Sequence, residues 1–93
     1  MILSFKDRET QTIWNQEKSR KLPVNIQQVA LRKLYILNRS KNLNDLMIPP
    51  GNKLEKLGGN REEQYSIRVN DQWRICFFWL DGNASEVEIV DYH

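Results

Sequence analysis

Soft metal ligands are almost missing from this chain, which has a single cysteine, Cys76, and a single histidine, His93. A tetrahedral zinc site normally takes three or four such ligands, so the chemistry expected of the chain is metal-free and needs no cofactor. Cys76 sits within RICFFWL between apolar neighbours and reads as a small buried hydrophobe rather than a reactive thiol. Long apolar runs are missing too. The longest, Ile75 to Leu80, falls far short of the roughly 18 residues a membrane helix needs. Charge also arrives early in MILSFKDRE, so a soluble, unexported, cytoplasmic protein with no membrane partner is expected. The phosphate-binding pattern GxxxxGK[ST] is absent, as are internal repeats, linkers and low-complexity tracts.

Acid is missing from one long stretch. Between Lys18 and Asn44 there are seven basic residues (Lys18, Arg20, Lys21, Arg32, Lys33, Arg39, Lys41) and no Asp or Glu, although the net charge of the whole chain is only +2. Such segregation creates a local positive field that suits nucleic acid or an acidic partner, while its plainest reading is a solvated helix face.

The 93 residues fit one domain, 1–93, in which roughly 60 to 70% of the unfolded surface can be buried. Met1 to Phe5 reads as a short opening strand, and Asp7 offers a cap for a helix over about residues 7 to 17 that carries Ile13 and Trp14. Ile26, Val29, Ala30, Leu34 and Leu37 recur at helical spacing and predict a second helix, with Arg32, Lys33 and Arg39 facing elsewhere. Leu43, Leu46 and Met47 suggest one more helical turn, which Pro49, Pro50 and Gly51 must stop. GNKLEKLGGNR is then an exposed loop with three glycines. Beyond it the period becomes two. Tyr65, Ile67 and Val69 alternate with polar residues, Trp73 to Leu80 forms a largely apolar run, and Val87, Ile89 and Val90 mark a last strand. Asn70-Asp71 and Asp81-Gly82 supply the turns. Helices followed by a meander define an α+β fold, two N-terminal helices packed on a small antiparallel sheet. Trp14, Trp73 and Trp79 are placed as core anchors.

Two groups of residues stand out for chemistry. A three-residue loop over 70–72 places Arg68 opposite Arg74 across the ladder, where like charges destabilise a sheet. A phosphate between their guanidinium forks would remove that cost, as would an ordinary surface pair with Asp71, Asp81 or Glu88. The second group is Asp91-Tyr92-His93, a carboxylate, a phenol and an imidazole together. Alternation sets Asp91 and His93 on one side and Tyr92 on the other, and the nearby anions favour the charged imidazolium. With Lys53 and Arg61 in the glycine-rich loop, these groups would provide what metal-free RNA cleavage requires. A ribose 2′-hydroxyl attacks phosphorus, so a proton acceptor, a proton donor and positive charge on the five-coordinate phosphate are needed.

The stretches PPGNKLEKLGGNREEQYSIRVNDQWRICFFW and VDYH, together with the opening strand and two helices, resemble the HigB group of toxins in the RelE/ParE toxin–antitoxin superfamily. The resemblance implies a RelE-like, microbial-ribonuclease-like fold acting as a ribosome-dependent endoribonuclease that cuts messenger RNA and inhibits translation. It implies Arg74, Asp91, Tyr92 and His93 as catalytic residues, and Arg68 as the arginine of the pattern Tyr-x-aliphatic-Arg. Lys53 and Arg61 join Arg68 as candidate RNA-phosphate contacts. Some members carry a loop histidine and lysine where this chain has Glu55 and Gly58, which makes Glu55 the candidate general base; its ordinary alternative is a loop salt bridge with Lys53 or Lys56. The implied partners are a helix-turn-helix antitoxin of the HigA type, the ribosome and mRNA, with operator DNA reached only through the antitoxin complex. Two rivals remain, a ParE-like inhibitor of DNA gyrase and a non-enzymatic module that binds RNA or antitoxin.

Deleting His93 should leave a folded, soluble protein that no longer arrests growth when expressed. Growth arrest undiminished by the deletion would take the histidine out of the chemistry.

Overall fold

Asp7 accepts a hydrogen bond from the Thr10 amide at 2.8 Å and so starts α1, Arg8–Trp14. The computed structural model describes residues 1–92. Helix α1 stops three residues short of the expected end, because Asn15 caps it and Gln16 turns into the left-handed region at φ 63°. The longer α2, Val24–Arg39, buries Ile26, Ala30, Leu34 and Leu37, the face its spacing predicts. Short 3-10 turns then occupy Leu43–Met47 and Pro50–Asn52.

The sheet is an antiparallel meander of β1 (Glu55–Lys56), β2 (Gln64–Arg68), β3 (Trp73–Leu80) and β4 (Asn83–Asp91), in that spatial order. This is the expected α+β arrangement, with one addition: the loop expected over 51–61 contributes the two-residue β1, paired with Ser66 and Tyr65 of β2. The β3–β4 turn uses positive φ at both Asp81 (53°) and Gly82 (78°), the backbone sign that matches strand twist in two-residue hairpins. Any side chain at Gly82 would also meet the Lys41 carbonyl at 2.9 Å.

The opening segment behaves differently from expectation. It joins the far edge of β4 in parallel, through bridges Ile2–Ala84 and Phe5–Val87. Leu3 and Lys6 donate to the Ala84 and Val87 carbonyls at 2.8 and 2.9 Å. A few residues on, the buried hydroxyl of Thr10 accepts from the Ile89 amide at 2.9 Å, so α1 continues the cover of that edge. An uncovered edge is a template for unwanted pairing, and here it is occupied by the chain's own start.

The faces of the sheet have distinct jobs. Ile67, Ile75, Phe77, Ala84, Val87 and Ile89 point inward and join the α2 side chains in the core. Trp14, Trp73 and Trp79 pack against this core as partly buried anchors. A bulge keeps the inward set complete on β4: Cys76 pairs with Glu88 but Phe78 with Ser85, and Glu86 takes φ 50°. The extra residue lets both Ala84 and Val87 face the core. The outer face carries Ser66, Arg74, Cys76, Glu88 and Val90 instead.

Leu34→Ala should cost about 2 to 5 kcal/mol in urea unfolding, because Leu34 is fully buried between α2 and the sheet. A cost below about 1 kcal/mol would contradict the packing described.

Candidate active site

Arg74 is the centre of the outer face. Strand alternation sends it away from the helices, yet the residue is only 8% exposed. A charge so far removed from water requires close acceptors, and it has them. Its Nε donates to Ser66 Oγ at 2.7 Å, and its Nη2 donates to the Lys53 carbonyl at 2.5 Å and to the Ser66 carbonyl at 3.5 Å. Its Nη1 meets the Glu55 carboxylate at 3.8 Å, too far for a hydrogen bond. Among the described residues, Glu55 is the ion-pair partner of Nη1, and its side chain is half-exposed.

Arg68 is the direct cross-strand partner of Arg74, the register a three-residue loop requires. The two like charges are reconciled by separate acceptors. Arg68 pairs with Asp71 of the intervening turn, and that carboxylate is 99% exposed. Arg68 is also close enough to α2 to act with Arg32 on Lys33. The Lys33 ammonium is pushed below its ordinary value, first by burial and then by these two arginines.

A second cluster lies beside Arg74. Glu88, itself only 8% exposed, accepts from Arg61 at 3.1 Å and pairs with Lys6 at 3.2 Å. The hydrogen bond to Glu88 raises the Arg61 guanidinium above its usual value despite partial burial, with smaller electrostatic contributions from Cys76, Glu88 and Tyr92. Beneath these groups lies Cys76. It is fully buried as expected, but under polar side chains rather than in the helix-facing core, and burial pushes its thiol up.

Asp91 and Tyr92 are held through Gln72. The Tyr92 amide donates to the Gln72 carbonyl at 2.7 Å, and Gln72 Nε2 donates to Asp91 Oδ2 at 2.9 Å. Val90 is the cross-strand partner of Arg74, and alternation carries Tyr92 one step beyond it on the same outer face, 38% exposed. Asp91 alternates to the other side, opposite Trp73. His93 lies outside the described residues. Arg74, Arg61, Tyr92 and Glu55 are therefore gathered on the outer face or its β1 edge. Lys53 contributes a carbonyl there while its residue is exposed, and Arg68 stands at the rim on Asp71. The described ion-pair partner of Glu55 is Arg74, in place of the loop lysines that are the ordinary alternative to its role as base. Sequence reasoning names Glu88 as a partner for a hairpin arginine, whereas the structure gives it to Arg61 and Lys6; it misses Ser66 and Gln72, and for Ser66 same-face alternation with Arg74 is the available signal.

Buried cation, neighbouring phenol and basic rim suit a phosphodiester. Comparison with known proteins decides the family. A model for the RelE-like toxin of the type II toxin–antitoxin system HigB matches residues 3–93. The chain belongs to the HigB-like toxin family. Toxin HigB-1 of Vibrio cholerae serotype O1 is 44% identical over 85 residues, covering 90% of both chains. An uncharacterized protein of Haemophilus influenzae is 46% identical over 67 residues, covering 72% of this chain and 66% of its own. The protein named Endoribonuclease HigB of Proteus vulgaris is 44% identical over 41 residues, covering 44% of this chain and 45% of its own. The α+β architecture read from the sequence is the one this HigB-like toxin adopts. No helix among its described residues is long and apolar enough to cross a membrane.

The two hairpin arginines should separate in a stability assay. Arg74→Ala strands buried acceptors and should cost about 1 to 3 kcal/mol. Arg68→Ala breaks a solvent-facing pair and should leave the urea midpoint nearly unchanged. Equal losses would contradict the difference in burial.

Proposed function

We propose that this toxin, a single RelE-like domain over residues 1–93, is a ribosome-dependent endoribonuclease that cuts mRNA and so stops translation in the cytoplasm. The observation that carries the proposal is the posture of Arg74, a nearly buried guanidinium whose Nη1 lies 3.8 Å from the half-exposed carboxylate of Glu55. The family membership and the printed name of the Proteus vulgaris relative support the same reading.

In this reading a phosphodiester takes the place of Glu55 beside Nη1. The 2′-hydroxyl attacks phosphorus, the bond to the 5′-oxygen breaks, and a 2′,3′-cyclic phosphate and a 5′-hydroxyl result. Arg74 stabilises the charge that develops on the equatorial oxygens. Tyr92 stacks on the unpaired base and with His93 manages the protons, one accepted from the nucleophile and one given to the leaving oxygen. Glu55, freed from Arg74, is the candidate acceptor. Asp91, held by Gln72, orients the terminal pair. Arg61, Arg68 and Lys53 bind flanking phosphates, and Arg68 exchanges Asp71 for RNA as it does so. General acid–base work and fixed cations account for every step, so no metal is required.

The acid-free surface of α2 suits ribosomal RNA, whose phosphates would make docking weaken as salt rises. A helix-turn-helix antitoxin completes the system, and the complex reaches operator DNA through that partner.

Purified protein added to a translation reaction should cleave the translated message and leave the same RNA largely intact when ribosomes are absent. Equal cutting of naked RNA would overturn ribosome dependence. DNA damage on induction, with messages uncut, would replace the nuclease by a gyrase poison.

A further inference from the structure

Lys53, whose carbonyl accepts from Arg74 Nη2, occupies the left-handed region, φ 43° and ψ 58°. Lysine has no preference for that conformation, so the surrounding structure must impose it. The residue just before it is Asn52, whose side chain is fully buried although polar. Its Nδ2 donates to the Leu46 and Ile48 carbonyls at 3.2 and 3.3 Å, and its Oδ1 accepts from Lys33 Nζ at 2.5 Å. Its amide donates to the Pro49 carbonyl at 2.9 Å, and that of Lys53 to Pro50 at 3.0 Å. The carboxamide thereby ties its own turn, Pro50–Asn52, to the 3-10 turn Leu43–Met47 and, through Lys33, to α2.

We infer that Asn52, closed from α2 by Lys33, is the positioning residue for Arg74. By locking the turn before Lys53 it aims the Lys53 carbonyl at Nη2. With Ser66 holding Nε, that fixes the rotation of the guanidinium and the direction of Nη1. Neither Asn52 nor Lys33 touches the phosphate; both act through Arg74. When the carboxamide is lost, Lys53 relaxes toward ordinary backbone angles, Nη2 loses its acceptor, and Arg74 no longer meets the developing charge in a preset orientation. The half-buried state of Lys33 fits this inward role, in contrast to the exposed Arg32 and Arg39 on the same helix. The inference rests on Arg74 being the phosphate-binding cation of the proposed reaction.

The test uses the full chain in single-turnover cleavage on programmed ribosomes, with Asn52→Ser, and with Lys33→Met should the first variant fail to fold. Each should lower the maximal rate on the order of 10- to 100-fold, the scale of a misaligned catalytic group. The ribosome concentration at half-saturation should stay unchanged. In an Arg74→Lys background, where charge is kept but the fork is gone, the same replacement should change the rate by less than about twofold. By NMR, the Arg74 Nε–H, identified by its absence from Arg74→Lys, should exchange faster with water in either variant. Independent, multiplying rate effects, a raised half-saturation at full maximal rate, or an unchanged Arg74 exchange would overturn the inference. Wild-type protein that cut no message would remove the nuclease reading, and the exchange comparison would then decide the brace by itself.

Discussion

A guanidinium that has left water but kept its charge constrains everything around it. Arg74 is tolerated on the outer face because Ser66 and Lys53 present oxygens where Nε and Nη2 point. The first comes from strand pairing, since Ser66 lies one outward position from Arg68, the cross-strand partner of Arg74. The second comes from an irregular loop held by Asn52. Sheet register and loop conformation must both be correct for the charge to be satisfied, so a displacement in either one propagates to the other.

The same electrostatic logic divides the remaining cations. Two arginines placed opposite each other would repel, and the structure separates their roles by depth: one is anchored inside, the other tethered to a solvent-facing carboxylate. Arg61 and Lys6 share Glu88. Each cation of the outer face is thus braced by an acceptor of its own or by a shared carboxylate. The hydrophobic work is left to the inner face, where α2 covers Ile67, Ile75 and Phe77.

Periodicity made most of this architecture legible. The spacing of Ile26, Ala30, Leu34 and Leu37 marks the buried face of α2, and the hairpin spacing alone puts Arg68 opposite Arg74. Arg74 and Tyr92 stand out by hairpin spacing and by the chemistry of the Asp91-Tyr92-His93 triplet, the resemblance adds their catalytic assignment, and their common face follows from β4 alternation. What stayed hidden depends on tertiary neighbours. The opening segment pairs parallel to a strand some 80 residues away, which no local pattern encodes. Glu55–Lys56 is too short to show a period of two. Asn52 looks like a loop residue in sequence, and only the two elements that close around its turn, Leu43–Met47 and α2, make it a structural centre.

The parallel stitch between residues 1–6 and β4 also bears on how the molecule comes together. β4 supplies the partners of the first residues, an amide for Thr10 and the stem of Tyr92. Contacts spanning 79 to 82 residues carry a larger loop-closure cost than the local contacts of α2. The far edge of the sheet, and the strand that leads to Tyr92, therefore rest on the slowest kind of contact in the fold.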